Sequence, residues 1–182
     1  MASLLKPVTA QWNLAIAAER PHPPLPFRLV NRRDVIGYRA GLQRHHILPV
    51  QLRAMSCFAR LFSALGDAGL GFDDFRRNGI LLPASEEAAI VMTLPLHRGP
   101  HRGYNAVVIE RVGAIERGWA MRRWRDPYRA GHEALFRLEL LQSALRRRLL
   151  DPCRRVTLNQ GDPASRASAF VDMDAMAETL WA

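Results

Sequence analysis

Lysine is almost missing from this sequence: Lys6 stands alone, and the remaining 25 of its 26 basic residues are arginines. Cysteine is scarce too. Cys57 and Cys153 are the only two, neither has the spacing of a metal ligand set, and the pair gives no indication of a structural disulfide, which fits a reduced compartment. No apolar run is long enough to span a membrane, and the amino terminus has no signal-peptide hydrophobic region. There is no internal repeat, and 48% hydrophobic with 24% charged residues is not the composition of a disordered chain. What is present is a chain of 182 residues, long enough for one domain with a real core. Its formal charge is +9. Arginine offers a planar fork of donors that fits phosphate bidentately, so the charge points to a nucleic-acid partner. A solvated arginine surface satisfies the same composition.

Residues Met1–Arg20 hold a short amphipathic helix around Trp12, Leu14 and Ile16, and Pro21–Pro26 then forbids helix and favours an extended connector. Phe27–Val30 and Val35–Tyr38 read as short strands separated by a polar turn. From Val50 to Leu65 the apolar spacing is helical, with Gly66 or Gly69 as the stop. Asp73 and Asp74 suit a helix cap or turn better than a metal. Ile80–Leu82 is a strand ended by Pro83, and Ala84–Val91 a brief helix with Ser85 or Glu86 at its start. Beyond lie two long helices, one through Tyr104 and Val112 to about Ile115, the other over Ala130–Leu150 with Leu135, Leu138, Leu141 and Leu145 as its apolar stripe. The opposite face of the second helix carries Arg137, Arg146, Arg147 and Arg148, a surface that could extend a phosphate track. Gln160–Ala169 is a polar linker, and Ala169–Trp181 a final helix. Met1 and the helical segment after it fit a free-standing protein.

The chemistry is concentrated in three short stretches. His45-His46 follow a strand candidate; Asn78-Gly79 open a second; His97-Arg98-Gly99-Pro100-His101 enter a helix with Pro100 at its start. Four of the six histidines fall here. Adjacent side chains on a strand point to opposite faces, so one ring of the pair faces a metal while its neighbour faces a substrate. Three neutral imidazoles bind a borderline transition metal and leave positions open for phosphate and water. A further, unligated histidine can take a proton from water near neutral pH. For each histidine taken singly, a buried and hydrogen-bonded structural role is the competing reading.

These stretches, from Leu42 to Val112, resemble the AHH family of the HNH/endonuclease VII superfamily of ββα-metal (His-Me finger) nucleases, often found as toxin domains. One departure stands out: Arg44 occupies the place of the alanine before the histidine pair. The resemblance implies an α+β fold, a small ββα-metal core with a helical insertion and a mainly α-helical surround. With it, the chain reads as an N-terminal helix and Pro-rich connector over 1–26, a nuclease core over 27–116 with its helical insertion at 50–65, and an arginine-rich helical extension over 117–182 packed on the core. It implies a metal-dependent endonuclease acting on nucleic acid, DNA before RNA, with one divalent ion (Zn, Mg, Mn or Ni). His45 and His97 would be metal ligands, and His101 a third ligand or a phosphate contact. His46 would be the general base. Asn78 would brace the loop between the site strands. Arg44, Arg98, Arg102 and Tyr104 would face the substrate, with a core role as the alternative for Tyr104. A toxin role would add an acidic immunity protein as partner, and a location in the cytoplasm or export without a cleaved signal. The competing reading is a zinc-stabilised nucleic-acid-binding protein without turnover; a degenerate scaffold is a third.

Overall fold

The computed structural model describes residues 22–159 and 161–164, so the helices expected at Met1–Arg20 and Ala169–Trp181 lie outside the described residues. Within those limits the fold is α+β, with one two-stranded antiparallel sheet and five α-helices. Strand β1 is Leu42–His46 and β2 is Gly79–Pro83, in a register that sets His45 opposite Ile80 and His46 opposite Gly79. Between the strands run two 3₁₀ turns, Val50–Ala54 and Ser56–Phe58, then α1 (Ala59–Leu70) and α2 (Phe75–Asn78). After β2 come α3 (Glu86–Met92), α4 (Arg102–Arg122) and α5 (Pro127–Leu150). None of the described helices is long and apolar enough to cross a membrane.

Local chemistry explains where these elements begin. The Ser85 hydroxyl accepts from the Ala88 N–H and opens α3, and the Asp126 carboxylate accepts from the Arg129 N–H beside Pro127 to open α5. Asp74 does the same for α2 through the Arg76 N–H, at 3.1 Å. Tyr104, Val108, Val112, Ile115 and Trp119 recur every three or four residues and form the buried face of α4.

A two-stranded sheet is marginal alone, so the helices must supply the core. Leu52, Leu61, Leu82, Val108 and Val112 are fully enclosed, and α5 adds Leu135, Leu138 and Leu149. Each such side chain contributes about 1.5–3 kcal/mol on burial. Helix α5 lies along α4 and reaches α1 and α2.

Three expectations need correction. The strands expected at Phe27–Val30 and Val35–Tyr38 are a 3₁₀ turn at Phe27–Leu29 and a series of bends. Val35 and Ile36 are exposed there, with no neighbouring strand to reward their β-branched shape. Glycines 37 and 41, both at positive φ, turn the chain into β1 instead. The helix expected from Val50 starts only at Ala59, because Met55 is extended (φ −82°, ψ 117°). That helix is broken at Gly66 (φ 73°) and capped at left-handed Gly71. Finally, α4 runs on to Arg122 rather than stopping near Ile115.

Candidate metal centre

His45 and His46 are the last two residues of β1, and the pleat sends them to opposite sides. His45 points inward and is 4% exposed. Its ring lies 5.0 Å from that of His97 and 5.3 Å from that of His101, with the Tyr104 ring at 5.2 Å. His46 points the other way and stacks flat on Phe27, with ring centroids 3.7 Å apart. Phe75 meets Phe27 edge-on. Gly79, across the sheet from His46, makes room for this stack: a Cβ there would lie 2.1 Å from the Phe75 ring.

His97 is anchored to the end of β2, where its N–H donates to the Pro83 carbonyl at 2.7 Å. Its Nδ1 lies 3.0 Å from the Gln43 side-chain oxygen. An amide oxygen only accepts, so that contact assigns the proton to Nδ1 and leaves Nε2 with a free lone pair. His101 is the N-cap residue of α4. One ligand nitrogen from each of His45, His97 and His101 lies within 4.8 Å of the others.

The electrostatics suit a cation. Burial, and then the other histidines nearby, push His45 down to about 3, and burial with His101 and His46 pushes His97 to about 4. His101 is lowered by burial, against the opposing effect of a hydrogen bond from its ring to the Leu158 carbonyl, and His46 is lowered by burial. All four are therefore neutral imidazoles at pH 7, which is the form that binds metal or accepts a proton. His45 Nε2 and His101 Nδ1 are buried without a hydrogen-bond partner among the described residues. Orphaned buried nitrogens are costly, and a shared divalent ion removes that cost for both. Donor chemistry and geometry fit a metal.

Asn78 is fully buried behind this group. Its side chain accepts from the Leu48 N–H at 2.7 Å and donates to the Leu48 and Phe72 carbonyls. Its own carbonyl accepts from the Ile47 N–H at 2.8 Å. The turn leaving the histidine pair is thus held to the start of β2.

A model of the AHH family, described as a nuclease family of the HNH/ENDO VII superfamily with conserved AHH, matches residues 27–142. The chain belongs to the AHH family. Comparison with curated proteins and with solved structures finds no match. In this AHH nuclease the motif reads Arg44-His45-His46, and the structure gives the arginine a use: its Nη1 donates to the Phe27 carbonyl at 2.6 Å. Arg44 thereby ties down the residue that stacks on His46.

The other expected substrate residues divide. Arg98 and Arg102 are exposed, and Arg98 lines a cleft of about 520 Å³ with Gln43, Ser85, Glu86 and His97. Tyr104 is buried, and its hydroxyl donates to the Ile47 carbonyl at 2.6 Å, so it props the strand end behind His45. Sequence reasoning missed Gln43 and Phe27. Gln43 had a signal, since it sits two residues before His45 on the same strand face. Phe27 had none, for nothing local couples it to His46.

Proposed function

We propose that the protein is a metal-dependent endonuclease that hydrolyses phosphodiester bonds in nucleic acid, with DNA as the preferred substrate. The observation that carries this is the convergence of His45, His97 and His101 while His46, their chain neighbour, stays outside the group. His45, His97 and His101 would hold one divalent ion, and neutral imidazoles favour Zn²⁺ or Ni²⁺ over Mg²⁺. When bound, such an ion supplies positive charge against the phosphate oxygens and the leaving oxygen. His46 accepts a proton from the attacking water; the flat stack on Phe27 fixes its ring plane, and its half-buried position keeps it neutral. Asn78 and Tyr104 hold the Ile47–Leu48 turn, so the two histidines keep their opposed directions. Arg98 and Arg102 meet phosphates on either side of the cut.

Plasmid nicking with added Zn²⁺, Ni²⁺, Mn²⁺ or Mg²⁺, each against EDTA, tests the reading. Expected are nicks with at least one ion and none with chelator. Tight metal and DNA binding without any nicking would favour the zinc-stabilised binding protein instead.

A further inference from the structure

The segment after α5 is tied to the strand-to-helix approach that carries His97. Asp162 is completely buried, and one carboxylate oxygen accepts from the Leu96 N–H at 2.8 Å. The other accepts from Arg155 at 3.0 Å and from the Ala164 N–H at 2.9 Å. The same Arg155 nitrogen donates to the Leu94 carbonyl at 2.8 Å. Asn159 completes the enclosure: its Nδ2 donates to the Leu96 carbonyl at 2.7 Å, while its Oδ1 accepts from the Gly161 N–H at 2.9 Å. Leu96 is thus held through both its N–H and its carbonyl, immediately before His97. The Leu158 backbone, in the same segment, meets the His101 imidazole.

We propose that Asp162, with Arg155 and Asn159, is a positioning clamp for the metal centre. Its side chains fix the peptide that delivers His97 and, across Gly99-Pro100, the start of α4 that delivers His101. All three residues lie beyond position 142, where the family match ends, so the match assigns them no role. A buried carboxylate left unpaired would be strongly destabilising. Here it is matched by one arginine and two backbone donors; the Leu96 N–H belongs to the histidine approach, and the same arginine holds the Leu94 carbonyl. Outer partners of this kind set the angle at which a ligand meets its ion, and their loss typically weakens metal affinity about 10–100-fold.

The inference rests on the metal-centre reading, so its test has one arm that needs no metal. In the full-length chain, Co²⁺ is titrated into wild type, Asp162→Asn and Asn159→Ala, followed by its visible absorption. Plasmid cleavage is measured in parallel, and the imidazole ring signals of each metal-free protein are recorded by NMR, with His22 and His132 as internal references. In Asp162→Asn, Co²⁺ affinity should fall about 10–100-fold, with a changed absorption spectrum and lower kcat but little change in KM. The His97 and His101 ring signals should move while those of His22 and His132 stay. Wild-type affinity, spectrum and ring signals in both variants would overturn the clamp. If wild type binds no Co²⁺, the metal reading falls, and the ring signals alone decide the clamp. Should Asp162→Asn fail to fold, Asn159→Ala decides, because it removes a half-buried side chain and leaves the ion pair intact.

Discussion

At the scale of single residues, two neighbours in sequence have unlike surroundings. His45 sits among imidazoles, whereas His46 lies against an aromatic face. Replacing His46 with Ala should cut cleavage by about 10²–10⁴, the usual contribution of a general base, and leave metal affinity near wild type. Replacing His45 with Ala should lower both. Calorimetric metal titration beside a nicking assay separates the two variants, and His46→Ala cleaving at full rate would remove it from the mechanism. The depressed histidines also make a prediction about pH. His45 titrates at about 3 when folded, against 6.5 as its ordinary value. Below pH 6.5 the unfolded chain therefore takes up a proton that the folded chain refuses. Stability of the metal-free protein should be flat above neutrality and fall as pH drops towards 4, by up to about 1.4 kcal/mol per pH unit from His45 alone. Thermal melts in chelator at stepped pH, wild type against His45→Gln, isolate that slope. Equal slopes would mean that His45 is not the group being titrated.

At the scale of elements, α5 is two-sided in a way its composition conceals. The expected outer face of Arg137, Arg146, Arg147 and Arg148 is not uniform. Arg146 turns inward, donating to the Gly79 carbonyl at 2.7 Å and to the Arg76 and Arg77 carbonyls at 2.8 and 3.1 Å. Gln142, one turn earlier, reaches the Asn78 side chain at 3.3 Å. The two clasp the turn that carries Asn78. Arg137 pairs with Glu133, and Arg148 is bonded to the Arg154 carbonyl. Arg146→Ala should therefore act on stability, costing about 1–3 kcal/mol for the carbonyls it abandons. The log–log salt dependence of DNA binding should hardly change, whereas removing an arginine that neutralises a duplex phosphate would flatten the slope by about 0.9. Urea melts and salt-titrated binding report the two effects separately. A reduced slope with unchanged stability would restore Arg146 to the phosphate track.

Across the whole molecule, the histidine group joins parts far apart in the chain. β1 supplies His45, the exit from β2 supplies His97, and the cap of α4 supplies His101. An ion held by all three should bind the folded chain far better than the unfolded one. Zn²⁺ at about 100 times its dissociation constant should then add about 2.7 kcal/mol of stability, and EDTA should remove it. Differential scanning calorimetry of wild type and His97→Ala checks this. The same shift in both proteins would place the bound ion elsewhere.

Much of this was legible from residue order alone. The spacing of His45-His46, Asn78-Gly79 and His97-Arg98-Gly99-Pro100-His101 is local, and so are the Asp74 and Ser85 caps and the apolar stripe of α5. Pattern and capping chemistry operate within a few residues, so a sequence can carry them. Residue pattern by itself could not carry which histidine of the pair faces inward, because that depends on the register of β1 against β2; only the family resemblance put His45 on the metal side. Nor could it carry the misread Phe27–Val30, where β propensity met no partner strand. Phe27 on His46, Arg146 on Gly79 and Asp162 on Leu96 join residues 19, 67 and 66 positions apart. Such pairings leave no periodicity in the chain. They exist only once the core has brought the elements together, and packing decides which polar group finds which partner.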